Sequence, residues 1–172
     1  MKILPYLFLV LTMACGGADV PGSVDLGLEI QKQEAGNWCW AAVAQAIGSW
    51  HGENVTQSEV VAFTFNHPCT PETCNAPNNM KPYLASIGLG LRALPDDAIP
   101  NDAQLHEIIS GGQPVIVRYR SPSGFAHFVL IGGYTPAGYV LYDSAFGESK
   151  TIATLTDYRD NWEVSQVLWV SQ

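Results

Sequence analysis

The chain has 172 residues, of which 47% are hydrophobic and 14% charged, which fits one domain with a substantial core and excludes long disordered stretches. Sixteen Asp and Glu stand against 8 Lys and Arg, for a formal net charge of −8. That balance argues against nucleic acid or an anionic membrane surface as partner, since both are bound through clustered Lys and Arg and only Arg118 and Arg120 fall close together.

Residues 1–15 read as an export signal. Lys2 is followed by an apolar run, Ile3 to Met13, broken by Pro5 and Thr12 and too short for a permanent membrane helix. Ala14-Cys15-Gly16-Gly17 is similar to the end of a bacterial lipoprotein signal, in which Cys15 would carry the lipid. Cleavage after Ala18 is the alternative, with Gly16 and Ala18 as the small residues, and an uncleaved anchor is the third. Each takes the chain out of the cytoplasm; the expected outcome is a protein lipid-anchored to the cell envelope or secreted, which would meet the membrane only through an N-terminal lipid anchor. Residues 16–29 are Gly-rich and read as a tether, leaving 30–172 as the folded domain.

Trp40, Val43, Ala44, Ile47 and Trp50 recur at helical spacing and predict a buried helix over 38–50, closed by Gly52. Thr56 and Glu59 form a capping box that opens a second helix, to about Phe65. The loop 66–77 holds Cys69 and Cys74. In an oxidising compartment these pair as a disulfide, while a zinc site using His67 with both sulfurs is the rival and lacks a second ligand pair. A third helix is predicted over 78–87, a short strand over 89–94, and a helix capped by Asn101 that stops at Gly111-Gly112. The period then changes. Runs at 114–119, 126–132, 139–144, 151–155 and 164–170 read as strands between turn residues. Helices followed by strands predict an α+β domain, a long buried helix packed on an antiparallel sheet.

With Cys15 assigned to the signal and Cys69 to Cys74, Cys39 is the odd thiol of an exported chain, a flag for reactivity. It lies at the predicted start of the first long helix, where unpaired amides and the helix dipole favour a thiolate. Its own amide faces the same space, and Gln33, across a glycine-containing turn, is the candidate for a second oxyanion donor. His127 opens one strand and Asp143 closes the next, and a turn over 132–138 would set them directly opposite each other. The carboxylate would then fix the ring tautomer and stabilise the imidazolium. Taken singly, each residue has an ordinary explanation: a buried thiol, a core histidine, a turn aspartate. The four together favour catalysis. His51 is expected to cap the first helix and His106 to be exposed.

Gln33, then Cys39-Trp40 at a helix start, resembles the active-site segment of papain-like cysteine proteases, without the upstream cysteine of the Cys-Gly-Ser-Cys-Trp form. Trp38-Cys39-Trp40-Ala41-Ala42, Phe125-Ala126-His127-Phe128-Val129 and Asp143-Ser144-Ala145-Phe146-Gly147 resemble the compact bacterial peptidases related to a plant-pathogen avirulence effector, and more distantly double-glycine leader peptidases. The resemblance runs from about Ile30 to Gly147 and implies a papain-like fold, with a helical first half carrying the nucleophile and a sheet in the second. It implies a cysteine endopeptidase acting on protein or peptide through a thioester on Cys39, with His127 as base, Asp143 orienting it and Gln33 beside the oxyanion; a monomer without metal or organic cofactor is expected. Amidase, transpeptidase or isopeptidase chemistry on the same triad is the alternative, as is a non-catalytic binding lipoprotein of the same fold.

Overall fold

The computed structural model describes residues 22–171, so the signal and Cys15 lie outside the described residues. Strand β1 (Val24–Asp25) is followed by helices α1 (Cys39–Trp50), α2 (Gln57–Phe65) and α3 (Lys81–Ser86), then β2 (Gly90–Arg92) and α4 (Asp102–Ser110). Five strands complete the chain: β3 (Val115–Arg120), β4 (Ala126–Thr135), β5 (Gly138–Asp143), β6 (Glu148–Ile152) and β7 (Glu163–Ser171). They form one antiparallel sheet in the order β2-β7-β3-β4-β5-β6, with β1 paired to the far end of β4. No helix among the described residues is long and apolar enough to cross a membrane.

The sheet is buried on both faces. Along β3, Ile116 joins the cluster built with Trp38, Val43 and Ile47 of the α1 side, while Val115 and Val117 join Leu105 and Ile109 of α4. Helix α1 is buried from Cys39 through Gly48, and its alanines let α2, α3 and β4 approach closely. Gly48 is part of that fit, because a Cβ there would stand 2.9 Å from the Tyr83 hydroxyl. Both expected capping boxes form, Thr56 with Glu59 and Asn101 with Gln104.

Three expectations are corrected. Organised structure begins before Ile30: Val24 and Asp25 pair with β4, Leu28 and Ile30 are buried, and the Trp50 indole donates to the Leu26 carbonyl at 2.9 Å. Val24, Leu26, Leu28 and Ile30 alternate with exposed Asp25, Gly27 and Glu29, so the segment lies down as an extended arm rather than a tether. Strand β6 starts at Glu148, earlier than its apolar residues indicate, because an edge strand has an exposed polar stretch there. Finally, β4 continues through Gly132 to Thr135 and turns at residues 136–137. Leu130 faces Tyr142 and Ile131 faces Leu141, and the ladder slips at Gly132 before Gly133 meets Val140. A side chain at Gly132 would meet Leu28 at 2.5 Å and Tyr142 at 2.9 Å, so the bulge sits where the N-terminal arm crosses the sheet. Continued to the strand end, this register sets Asp143 opposite Val129, which makes His127 its diagonal neighbour on the same face.

Candidate active site

Cys39 is the first residue of α1, preceded by Trp38 with no side-chain cap on the helix. The first amides of a helix have no intrahelical acceptor, so the Cys39 N–H is free for a ligand. The chain leading to it is irregular and is fastened by side chains. Gln57, fully buried, accepts from the Glu34 amide at 3.0 Å and donates to the Lys32 carbonyl at 2.9 Å. Asn37 exchanges two bonds with Asn75, at 2.8 and 3.1 Å. The Trp38 and Trp40 indoles donate to the carbonyls of Cys74 and Ala76 at 2.9 and 3.2 Å. The segment 74–76 is in turn held by the Cys69–Cys74 disulfide, which forms as expected. His67 lies beside these sulfurs, 3.7 Å from Cys69, but with both sulfurs bonded to each other they are not thiolate ligands.

The sheet supplies the other half. His127 Nε2 and Asp143 Oδ1 are 2.7 Å apart, with both residues buried. Diagonal placement therefore achieves what direct opposition was expected to do. The Cys39 thiol and the imidazole line the same cleft, and the thiol is among the groups that raise the His127 pKa. Since Nε2 is taken by Asp143, Nδ1 is the nitrogen left for the sulfur. Burial alone would lower the His127 pKa, but the bonds to Asp143 and Cys39 outweigh it and raise it to about 9. Burial likewise opposes charge on Asp143, yet the imidazole, the Tyr158 hydroxyl and the Ala145 amide hold its pKa down to about 2. At neutral pH the pair is therefore imidazolium and carboxylate.

Sequence reasoning missed the groups that hold Asp143. The Tyr158 hydroxyl donates to Oδ2 at 2.7 Å, Arg159 reaches the same oxygen at 3.4 Å, and the Ala145 amide donates to Oδ1 at 2.9 Å. Burial and the carboxylate push the Tyr158 phenol well up, so it stays a donor. Its ring stacks on Tyr119 with centroids 4.3 Å apart. The legible signal was Thr154 with Asp157, whose capping box opens the 3-10 turn Leu155–Asp157 directly before Tyr158.

Gln33 departs from expectation. Its Nε2 donates to the Ala35 and Gly36 carbonyls at 2.9 and 2.8 Å, and its Oε1 accepts from the Ser144 hydroxyl at 3.2 Å. Both amide hydrogens are thus spent on the turn before Cys39, and Gln33 does not line the cleft. A direct donor role requires one hydrogen to leave its carbonyl. His106 is also corrected: it is half-buried and stacks on Tyr134 at 4.0 Å. Phe146 is 58% exposed and packs on Arg159.

Cys39 and His127 open on a cleft of about 1070 Å³ whose walls include Asn37, Pro77, Arg118, Phe125 and Trp162. A buried thiol and imidazole on one large groove, at the junction of a buried helix and an antiparallel sheet, define the class: a papain-like cysteine peptidase. Residues 20–163 match the family described as papain-like cysteine protease AvrRpt2, and the chain belongs to that family. The fold is also similar to the crystal structure of a C39-like peptidase from Bacillus anthracis, with a TM-score of 0.58 at 10% identity, covering 87% of this chain and 98% of that one. No curated protein matches the chain.

Proposed function

We propose that this peptidase is an exported endopeptidase that cleaves through a thioester on Cys39, with His127 as acid and base and Asp143 orienting the imidazole. The observation that carries this reading is the buried His127–Asp143 pair, at 2.7 Å, with the imidazole and the Cys39 thiol together on the wall of one cleft. His127 is the base that takes the thiol proton, and the thiolate is the nucleophile. Its sulfur bonds to the scissile carbonyl carbon, and the carbonyl oxygen takes the negative charge at the Cys39 N–H. His127 Nδ1 then protonates the departing amine as the C–N bond breaks. In the second half His127 takes a proton from water, hydroxide adds to the thioester, and the acid product leaves as the thiolate is restored. Asp143 never needs the proton.

Export is supported by the pattern of residues 1–15 and by the Cys69–Cys74 disulfide, since such bonds persist in oxidising compartments. Lipidation at Cys15 belongs to the same reading. Cys15→Ala should release the protein from the membrane fraction, and unchanged fractionation would count against the anchor.

The catalytic reading is tested by alkylating Cys39 between pH 4 and 9. In the wild type the rate should persist below about pH 6, and in His127→Ala it should collapse there. Cys39→Ala should show no turnover of peptides. A rate that only climbs through about pH 8.5 in both proteins would mark an ordinary thiol and overturn the mechanism.

A further inference from the structure

The cleft has the opposite charge to the protein around it. The chain carries 16 acidic residues, yet among the described residues no Asp or Glu lines the cleft. Besides His127, the charged groups on its walls are Arg118 and Arg159. Arg159 is already engaged: it reaches Asp143 at 3.4 Å and sits over the rings of Tyr158, Trp162 and Phe146 at 4.8, 5.2 and 5.5 Å.

Arg118 is different. It is half-buried on β3 and forms no ion pair with any described residue. It is nevertheless held in place. Its Nη1 donates to the Ser165 hydroxyl at 3.3 Å, the same hydroxyl donates back to the Arg118 carbonyl at 2.9 Å, and the guanidinium lies 5.9 Å from the centre of the Phe128 ring. A guanidinium has five N–H donors in a planar fork, and one bond to Ser165 leaves the rest for a ligand. In a chain with twice as many acidic as basic side chains, a cation fixed on a groove wall without a carboxylate is matched to a carboxylate that arrives with the ligand.

We propose that Arg118 is a specificity determinant that binds a carboxylate of the peptide substrate. This rests on the Cys39–His127 reading of the cleft. Arg118 pairs across the sheet with Phe128, the residue after His127, so the backbones of Arg118 and His127 stand about one strand spacing and one residue apart; their side chains leave opposite faces of the sheet, and both reach the walls of the one cleft. At roughly 3.3 Å per residue of extended peptide, the carboxylate belongs to a position within about three residues of the scissile bond. Two sources share this chemistry: an Asp or Glu side chain, or the free C-terminus of a short substrate. Phe125, 70% exposed on the same groove, and Trp162 offer apolar contact beside it. The preferred substrate therefore combines an acidic group with an apolar one.

The test compares matched peptides carrying Glu or Gln at each position, blocked at both ends, with a second set ending in a free carboxylate. Wild type should cleave the Glu member of one pair at least tenfold faster in kcat/KM, and in Arg118→Gln that ratio should fall to near one. Arg118→Glu should shift preference to Lys or Arg at the same position. A preference confined to the free-carboxylate set would assign the C-terminus as the source. Equal rates for Glu and Gln at every position of the active wild type, with no gain from a free C-terminus, would overturn the proposal without needing any variant. A separate measurement keeps the two readings distinguishable. Binding of the same peptides to Cys39→Ala, followed by fluorescence anisotropy, should keep the Glu preference and lose it in the double variant with Arg118→Gln. Preference in binding with no Cys39-dependent cleavage would sink the catalytic mechanism and leave the carboxylate site standing. Absence of preference in binding would remove the site.

Discussion

The two halves of the active site are held by different kinds of bond. His127 and Asp143 ride on β4 and β5, where neighbouring strands fix the backbone and any one side chain matters little to its path. Cys39 is approached through residues 33–38, which have no ladder. Their course is set by Gln33, Asn37, Gln57, Asn75 and two indoles, each bonded to a backbone group. Precision on the sheet side is therefore distributed, and on the helix side it is concentrated in single side chains. Substitutions far from the thiol should accordingly damage catalysis more when they fall on the helix side.

The sharpest way to break this comparison is Gln33→Ala. Loss of its two bonds to Ala35 and Gly36 frees the turn before Cys39, and a displacement of about 1 Å there costs on the order of 100-fold in kcat. Alkylation of Cys39 by a small reagent, which needs no oxyanion, tells the two possible roles apart. A turn-holding Gln33 slows alkylation and turnover together. An amide that swings to the oxyanion once substrate arrives leaves alkylation unchanged while kcat falls.

The disulfide comes next. Cys69→Ser with Cys74→Ser closes no loop, yet segment 74–76 still receives the bonds from Trp38, Trp40 and Asn37. Activity should drop by about tenfold, and the melting temperature should fall as well, because short closed loops contribute roughly 2 to 3 kcal/mol. Full activity in the double variant would mean that the helix side holds its shape without the staple. On the sheet side, Tyr158→Phe removes one charge-assisted bond from Asp143, worth about 1.5 to 3 kcal/mol in general. The kinetic loss should be tenfold or less, since the Ala145 amide and Arg159 remain. Its signature is in the pH profile. With one donor gone the Asp143 pKa rises, so the acid limb of the alkylation rate should move to higher pH. An unmoved limb with a lowered melting temperature would reduce Tyr158 to packing.

How much of this was legible follows the same division. The sheet residues announced themselves by alternation, the capping boxes by Thr56-Glu59 and Asn101-Gln104, and the thiol by its place at a helix start. The Cys39, His127 and Asp143 set needed only order and period. What the sequence concealed were contacts made between distant irregular segments. Gly132-Gly133 looks like a turn and is a bulge, because Leu28 crosses there and leaves no room for a side chain. Tyr158 reaches Asp143 only after a 3-10 turn folds it back over Tyr119. The arm from Val24 to Ile30 was hidden by the glycines spread through residues 16–29, although its apolar residues alternate. Arg118 carried no signal in one dimension, since its meaning comes from the carboxylates that are not beside it.

The smallest effect is on stability, and it measures how tightly the sheet side is coupled. His127 is raised from 6.5 to about 9, so its contribution is complete below pH 6.5 and is lost as pH rises through 9. Asp143 is lowered from 3.8 to about 2, so its contribution is present above pH 3.8 and is lost as pH falls through 2. Stability owed to the pair should then form a plateau between 3.8 and 6.5, with losses on the order of 2 kcal/mol on either side. Melting temperatures from pH 2 to 9.5 check this against Asp143→Asn, which abolishes the carboxylate while keeping an oxygen acceptor for Tyr158. The variant should lose the plateau and vary less across the range. Parallel curves would mean that the pair is bought by its surroundings and returns nothing to the fold, and the sheet side would then be rigid for reasons of backbone pairing alone.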